Sequence, residues 1–369
     1  MAAATTTATA LFLCWRALAA FAQKEKENLV RSLPASLCTW RVPPCEDDEY
    51  EIWQSLAKTL KGAGLTLWDS SKTSAQRSPY GSDVFPNGYL HTAAIRGTDK
   101  KQAGAVATLR HLWPTNASSH VVRTREGQDA VMRVVAIGHE GRDQLRIWRK
   151  LATAPHALIS ANHTLPLLQE FDLEHITFGI FPLVAQPMED IYGRWAKNSV
   201  GDILDAVMQA LEALAYIHSL GIAHRDAFKY NFLMQWHPES LLTGSVAVSR
   251  PRVYLIDFEV AVEFSGDSVP SERVCIGPPC IGSLSDPTRY SAPCIPEMCT
   301  GEPYDPFKLD VWQLGTSLLD FDSTLPPVQA VLQAMASLDP AERLTADDAL
   351  CRLRAFLENV PPKSLLIPP

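Results

Sequence analysis

Two short runs of the chain concentrate side chains that can do chemistry. The first is His224-Arg225-Asp226, with Asn231 five residues after the aspartate, and the second is Asp257-Phe258, at the end of the next apolar segment. A carboxylate can accept a proton from a hydroxyl group. Carboxylate and amide oxygens are also ligands that suit Mg²⁺. The two runs together indicate a site for a hydroxyl group and a divalent cation.

The elements that must position these runs follow from the apolar pattern. Residues 199–202 have the form of a helix-capping box, and Gly221 is a helix-ending residue directly before the first run. Between them, apolar side chains recur on one helical face: Ile203, Val207, Leu211, Leu214 and Ile217. Short strands are predicted over residues 232–234 and 253–256, joined by a polar surface loop at about 236–250.

Upstream of the first run, the pattern predicts a smaller group made mainly of strands. Residues 119–135 have the alternation of a hairpin, with a turn at 125–128. A helix is predicted over 143–151, and strands over 165–171 and 176–183. The order strand, strand, helix, strand, strand therefore precedes a second part that is mainly helical.

The two ends of the chain complete this organisation. A lead-in helix is predicted from residue 50, whereas residues 24–48 are predicted to be a linker and 69–120 loops or short strands. Late helices are predicted over three ranges: 309–320, 328–337 and 346–357.

The composition indicates a soluble globular protein. The chain has 369 residues, 46% hydrophobic and 20% charged, which allows a substantial core. Its net charge of -8 lacks the basic character that drives nonspecific nucleic-acid binding. No run approaches the roughly 20 apolar residues that cross a bilayer. We therefore expect neither nucleic acid nor membrane as a partner, and a cytoplasmic or nuclear location.

Two local features leave alternatives open. Residues 1–23 have an apolar stretch and a small-x-small site, as in a cleaved leader, but Arg16 interrupts the stretch and no Lys or Arg precedes it. The eight cysteines are typical of reduced thiols, whereas the spacing of four of them also allows a zinc site. Those four are Cys275, Cys280, Cys294 and Cys299.

Three further landmarks follow the two runs in order: Pro296-Glu297, Asp310-Val311-Trp312-Gln313-Leu314-Gly315 and Arg343-Leu344-Thr345-Ala346. With the two runs, they resemble the protein kinase superfamily over about residues 118–357, in particular a fungal-type protein-kinase-like family with a degenerate ATP-binding side. The resemblance implies an α+β, bilobal protein-kinase-like fold, with a small, mostly β N-lobe and a larger α-helical C-lobe. The boundaries that follow are a poorly ordered leader and linker at 1–48, a lead-in helix and irregular extension at 49–117, the N-lobe at 118–184, the C-lobe at 185–357 and a tail at 358–369.

The resemblance also implies a role for the polar residues near the two runs. Asp226 would be the catalytic base, with Arg225 as its charge partner and Lys229 as stabiliser of the substrate phosphate. Asn231 and Asp257 would hold Mg²⁺ against the phosphates of ATP.

Two structural contacts are implied as well. Glu297 and Arg343 should form a buried ion pair. Asp310 should accept hydrogen bonds from the backbone of the loop that carries the first run.

The ATP-binding side departs from the family at two charged positions. Arg133 stands where the family has a phosphate-binding lysine, and Gln144 stands where it has a glutamate. A contact between them would be a hydrogen bond without full ionic attraction. Three residues align with the adenine pocket: Phe181, with Pro182 as carbonyl acceptor and Val184 as amide donor.

The phosphate side also departs from the family. No G-x-G-x-x-G precedes Arg133, and the small residues 115–119 are predicted to be a solvated loop. Glu259 replaces a glycine beside Asp257 and adds a negative charge, which would either help to bind a metal ion or repel a nucleotide.

Three functions fit these residues. The first is an ATP-dependent protein kinase that acts on serine or threonine and uses Mg²⁺. The second is a pseudokinase that binds a nucleotide or serves as a scaffold for a partner protein, as the departures at Arg133, Gln144 and Glu259 indicate. The third is a small-molecule phosphotransferase of related fold.

Overall fold

The computed structural model of the protein describes residues 15–16, 20–43, 46–70, 76–77, 111–112, 116–184, 186–192, 198–236, 250–284, 290–321 and 323–369. The leader predicted over residues 1–23 and the polar loop at about 236–250 lie largely outside the described residues. Most of the segment 69–120 lies outside them as well.

The small lobe contains an antiparallel sheet of five strands. Their order across the sheet is β1 (Leu65–Leu67), β5 (Ser119–Thr124), β6 (Asp129–Ile137), β8 (Ile176–Pro182) and β7 (Gln169–Leu173). Three short strands form a second sheet: β2 (Asp69–Ser70), β3 (Gln76–Arg77) and β4 (His111–Leu112). The predicted hairpin is confirmed, because β5 and β6 pair in register with Ser119 opposite Arg133.

The connection from β6 to β7 joins the two lobes. Helix α4 (Arg142–Leu151) follows β6 where a helix was predicted. Strand β7 begins later than predicted, because the residues before it pair elsewhere. The Leu165 N–H donates to the Leu255 carbonyl oxygen at 3.1 Å, and Thr164 forms a β-bridge with Leu255. Residues 164–165 therefore link the sheet to the large lobe.

The segment predicted to be a poorly ordered linker, residues 24–48, is mostly helical. Residues 20–32 form helix α1, followed by α2 (Leu37–Arg41) and α3 (Glu46–Gly62). Three apolar side chains of this segment and three from the rest of α3 are buried in a cluster with residues of the five-stranded sheet: Leu33, Leu37 and Trp40, and Trp53, Leu56 and Leu60. Pro34 and Pro43 lie between helices, so these prolines separate helices and do not indicate a flexible linker.

His120 on β5 makes the stability of this lobe dependent on pH. The ring is buried beside Trp53, with ring centroids 5.2 Å apart, and its Nδ1 donates to the Val121 carbonyl oxygen at 2.9 Å. Burial lowers the pKa of His120 to about 4 from an ordinary value of 6.5. The unfolded chain therefore takes up a proton at a higher pH than the folded chain does. The stability contributed by the neutral ring is complete above pH 6.5 and is lost as the pH falls towards 4.

We expect the free energy of unfolding to fall by up to about 3 kcal/mol across that window because of His120, as measured by urea denaturation at a series of pH values. The variant His120→Gln should have a shallower pH dependence, because its side chain does not titrate. The exposed His139→Gln should keep the wild-type dependence. An unchanged slope in His120→Gln would contradict this assignment.

The large lobe is mainly helical. Helix α5 (Val200–Ser219) begins with the predicted capping box, in which the Ser199 hydroxyl accepts from the Asp202 N–H, and Gly221 follows its end with a φ of 73°. The later helices are α6 (Pro296–Cys299), α7 (Pro306–Ser317), α8 (Pro326–Met335) and α9 (Ala346–Glu358). The last three confirm the predicted late helices with shifts of a few residues.

Short strands connect the helices to the cleft between the lobes. They are β9 (Gln186–Pro187), β10 (Ile222–Ala223), β11 (Phe232–Gln235), β12 (Arg252–Leu255) and β13 (Val262–Glu263). Strand β11 pairs with both β9 and β12, and β10 pairs with β13. The tail at 358–369 is packed on the lobe, because Leu365 is buried and the Val200 N–H donates to the Ile367 carbonyl oxygen at 2.9 Å.

These elements form the predicted α+β, bilobal protein-kinase-like fold, with a small lobe around a curled antiparallel sheet and a larger helical lobe. Within the described part of the chain, no helix has both the length and the apolar character needed to span a bilayer.

Candidate active site

A cleft of about 900 Å³ is lined by residues of both lobes. Seven of the ten predicted site residues line it: Arg133, Phe181, Pro182, Val184, Asp226, Asn231 and Asp257. The fold therefore brings together residues that are far apart in the sequence. The other three, Arg225, Lys229 and Gln144, lie outside the lining of this cleft.

Asp310 in helix α7 holds the loop of the first run in place. Its buried carboxylate accepts from the His224 N–H at 2.7 Å and from the Arg225 N–H at 2.6 Å, which confirms the implied contact. Arg225 has a φ of 66°, a conformation that a non-glycine residue keeps only with support from its surroundings. The His224 Nε2 lies 2.8 Å from the Ile256 carbonyl oxygen, so the ring joins this loop to the second run.

Asp226 is fixed by two neighbours on its own loop. The Tyr230 hydroxyl donates to its Oδ1 at 2.7 Å, and Asn231 Nδ2 donates to its Oδ2 at 2.8 Å. Burial raises the pKa of Asp226, although these hydrogen bonds oppose the rise. A raised pKa suits a carboxylate that must accept a proton. Sequence reasoning missed Tyr230, because a tyrosine at this spacing carries no general signal.

Asn231 and Asp257 lie at the same end of the β11–β12 hairpin, because the two strands pair in antiparallel register directly between them. Asp257 has a φ of 63°. The next residue, Phe258, is fully buried, and its ring centroid lies 5.0 Å from that of His224 and 4.9 Å from that of Trp148. This packing fixes the turn that presents Asp257 to the cleft.

Arg133 on β6 contacts the second run across the cleft. Its Nη2 donates to Asp257 Oδ1 at 2.8 Å and to Glu259 Oε2 at 3.1 Å. Burial alone would raise the pKa of Asp257, but the adjacent Arg133 guanidinium brings this pKa below its usual value. Asp257 is therefore an ionised carboxylate at neutral pH, and it lines the cleft with Asp226 and Asn231 at what we term the polar end.

Glu259 carries a compensated charge. Its side chain is 6% exposed and is paired with Arg133 and, at 3.1 Å, with Arg41 Nη1. Both sequence-based alternatives, metal binding and repulsion of a nucleotide, assumed an uncompensated carboxylate. Sequence reasoning missed Arg41, because its segment was assigned to a linker and nothing in the local pattern indicates a partner more than 200 residues away.

Two predicted site residues make other contacts. Gln144 is buried in α4, and among the described residues the side-chain hydrogen bonds of Arg133 go to Asp257 and Glu259 and not to Gln144. Lys229 forms an ion pair with Asp320, and its Nζ lies 5.1 Å from the centre of the Tyr192 ring. The structure thus places neither residue in the role that the resemblance implied.

Arg225 lies behind Asp226, buried in the large lobe. Its guanidinium approaches the Val260 carbonyl oxygen and the Tyr304 hydroxyl, each at 3.5 Å. These are long hydrogen bonds, so the main contribution of Arg225 to the site here is through its backbone conformation.

The other end of the cleft is apolar. Pro182 and Phe181 end strand β8, opposite Ala130 and Val131 of β6, and Val184 follows them. Further apolar residues complete this end: Leu165, Leu233 and Ile256. The Phe181 and Trp148 ring centroids are 4.6 Å apart, which closes the back of the pocket. A flat, apolar ring system fits such a surface.

The glycine-free stretch before β5 is not a solvated loop. Ala117 and Ser118 are buried, and Asn116 and Ser119 line the cleft. The Trp53 indole N–H donates to the Ala117 carbonyl oxygen at 2.9 Å, which ties the stretch to α3. These small residues are therefore held in place at the lining of the cleft.

Two other expectations concern the large lobe. The ion pair between Glu297 and Arg343 is confirmed, with Nη1 and Oε1 2.9 Å apart and the arginine side chain fully buried. For the zinc alternative at the four cysteines, no group of three or more His, Cys, Asp or Glu side chains in the described residues is arranged to hold a metal ion.

Comparison with known proteins agrees with the fold. The chain is similar to the serine/threonine-protein kinase PAK mbt of Drosophila melanogaster, 27% identical over 190 residues, which are 43% of this chain and 25% of that protein. It is also similar to calcium/calmodulin-dependent protein kinase type II of Caenorhabditis elegans, 27% identical over 210 residues, 48% of this chain and 26% of that protein. Serine/threonine-protein kinase ppk8 of Schizosaccharomyces pombe is 36% identical over 105 residues, 28% of this chain and 16% of that protein.

These similarities support a place in the protein kinase superfamily and a kinase-like function at that level. The matches span about a quarter or less of the length of these three relatives. No protein-family model matches the chain. Membership of the fungal-type family stays a prediction.

Proposed function

We propose that the protein is an ATP-dependent protein kinase that transfers the terminal phosphoryl group to a serine or threonine hydroxyl. The convergence of Asp226, Asn231 and Asp257 at the polar end of a cleft with an apolar far end carries this proposal. Two of the kinases to which the chain is similar, PAK mbt and ppk8, are named as serine/threonine-protein kinases, which supports this choice of acceptor.

The polar residues fit a hard divalent cation. Asn231 uses its Nδ2 for both of its side-chain hydrogen bonds to Asp226, so its Oδ1 is the atom available to a cation. Asp257 supplies an ionised carboxylate, and both residues line the same cleft. All-oxygen ligands of this kind suit Mg²⁺. When bound, Mg²⁺ would neutralise charge that develops on the phosphates.

The remaining residues would bind and orient the two substrates. The apolar end would hold the adenine ring of ATP between β6, β8 and β11, with Val184 as amide donor and Pro182 as carbonyl acceptor. Arg133 would contact the phosphates, since its guanidinium lines the cleft and lies beside Asp257. Asp226 would accept the hydroxyl proton at Oδ1 after the Tyr230 hydroxyl moves away from that atom.

The variant Asp257→Asn tests the cation site. We expect it to lower the affinity for ATP in the presence of Mg²⁺ by about tenfold or more and to change affinity in EDTA little, because it removes a charged cation ligand but keeps the side-chain size. Isothermal titration calorimetry with and without Mg²⁺ measures both. Exposed Asp143→Asn is the matched control and should match the wild type. An equal loss of ATP affinity with Mg²⁺ and with EDTA would contradict a cation role for Asp257.

A pseudokinase is the second candidate, and one observation favours it. Arg133 forms ion pairs with Asp257 and Glu259, so the phosphates of a nucleotide must compete with two carboxylates for the Arg133 guanidinium. Such a protein would bind a nucleotide or a partner without phosphoryl transfer. Binding of ATP without any transfer that depends on Asp226 would establish this second function in place of the first.

A further inference from the structure

Arg41 connects the N-terminal helices to the polar end of the cleft. It is the last residue of α2, outside the region that resembles kinases, and it lines the cleft. Its Nη1 donates to Glu259 Oε2 at 3.1 Å and to Ser283 Oγ at 3.0 Å. Helix α2 is itself held by burial of Leu37 and Trp40 in the small lobe.

Two further backbone neighbours enclose the Glu259 carboxylate, Ser283 and Gly282. Its second oxygen, Oε1, accepts from the Ser283 N–H. A Cβ atom on Gly282 would lie 2.8 Å from Oε1, and Gly282 has a φ of 62°, so only glycine suits this position. The carboxylate is thus fixed by two arginines, one amide and one close backbone approach.

Within the cluster of Asp257, Glu259, Arg133 and Arg41, the charges balance only when Arg41 is counted. Asp257 and Glu259 are largely buried carboxylates, with side chains 19% and 6% exposed, and Arg133 bonds to both. One arginine cannot compensate two carboxylates, and an uncompensated buried carboxylate beside a phosphate is strongly unfavourable. Arg41 supplies the second positive charge.

Glu259 also supplies the carboxylate partner for Arg133 that helix α4 does not provide. Gln144 offers Arg133 no carboxylate and is not bonded to it, so the ionic partner that orients Arg133 comes from the second run. Arg133 is therefore held in part by Glu259, and Arg41 bonds to the same Glu259 oxygen.

We propose that Arg41 is a positioning residue of the nucleotide site: it neutralises Glu259 and thereby keeps Arg133 able to contact phosphate. This inference rests on the proposed function, because it assigns Arg41 to the ATP site. The helical segment 20–41 is then part of that site and not an accessory extension.

A double-mutant cycle tests this inference in the full chain. The variants are Arg41→Gln, Glu259→Gln and the double variant, with exposed Arg31→Gln on α1 as control. The readouts are the dissociation constant of ATP with Mg²⁺ from calorimetry and the urea midpoint of each protein without nucleotide, which shows that each variant is folded.

We expect Arg41→Gln to weaken ATP binding about tenfold, because Glu259 becomes uncompensated. The double variant should recover to within about threefold of Glu259→Gln alone, since no charge is then left to neutralise. Arg31→Gln should bind as the wild type does.

Each result decides between the two proposals. If the wild type binds ATP and Arg41→Gln binds equally well, the role of Arg41 is wrong while the proposed function stands. Equal weakening in Arg41→Gln and in the double variant would show that Arg41 acts by packing alone, which also overturns the inference. If the folded wild type does not bind ATP, the proposed function fails and the role of Arg41 fails with it.

Discussion

Asparagine in place of Asp226 is expected to lower the rate of phosphoryl transfer by about 10²–10⁴-fold and to leave ATP affinity nearly unchanged. The substituted side chain keeps its size, and its Oδ1 can still accept from Tyr230. It cannot accept the proton of an incoming hydroxyl, because an amide is not a base at neutral pH. The rate of transfer at saturating ATP, with calorimetry for affinity, measures the two effects separately.

Exposed Asp267→Asn is the matched control for this variant, because it makes the same chemical change at a residue outside the cleft lining. It should keep the wild-type rate. Transfer by Asp226→Asn at a rate close to that of the wild type would show that Asp226 is not the base.

Alanine in place of Glu297 is expected to lower the free energy of unfolding by about 3–5 kcal/mol. The Arg343 side chain is fully buried and bonds through two nitrogens to the Glu297 carboxylate, at 2.9 and 3.1 Å. Its other partners are backbone carbonyl oxygens, such as that of Ser337 at 2.8 Å. Removal of Glu297 therefore leaves a buried positive charge with only neutral partners. Urea denaturation monitored by circular dichroism measures the change.

The pair between Arg149 and Glu170 provides the comparison for a surface contact. Its arginine side chain is 53% exposed, so Glu170→Ala should cost less than about 1 kcal/mol. A loss in Glu297→Ala no larger than that in Glu170→Ala would contradict the account of a buried pair that holds α6 to the large lobe.

The sequence predicted the large lobe and its loop at residues 224–231 well. The capping residues are a local signal, and the motifs follow one another in a fixed order. Ser199, Asp202 and Gly221 define both ends of α5 by capping and backbone chemistry alone. Asp310 and the Glu297–Arg343 pair were predicted from the resemblance, which depends on the order of motifs and needs no distances.

The small lobe was less predictable, because its packing joins distant segments. Trp40 and Trp53 were assigned to a linker and a lead-in helix, yet their rings pack 5.6 Å apart under the sheet. The charged residues and prolines of residues 24–48 suggested a linker. The segment is mostly helical because a few large apolar side chains are buried against the small lobe.

The charge pairing within the cleft was the least predictable part. The resemblance to kinases gave the positions of Arg133, Gln144 and Glu259. It did not predict that Arg133 bonds to Glu259 and not to Gln144. Glu259 is also bonded to Arg41, which approaches from another segment. The contact of Lys229 was equally unpredictable from the sequence, because its side chain forms an ion pair with Asp320 and does not line the cleft.

The central claim is that this cleft transfers phosphate, and one measurement tests it most directly. The wild type is incubated with radiolabelled ATP and a generic protein substrate, with Mg²⁺ or with EDTA, beside Asp226→Asn, and labelled amino acids are identified after hydrolysis. The account predicts label on serine or threonine that requires both Mg²⁺ and Asp226. Wild-type protein that binds ATP with Mg²⁺ yet incorporates no more label than Asp226→Asn would contradict it.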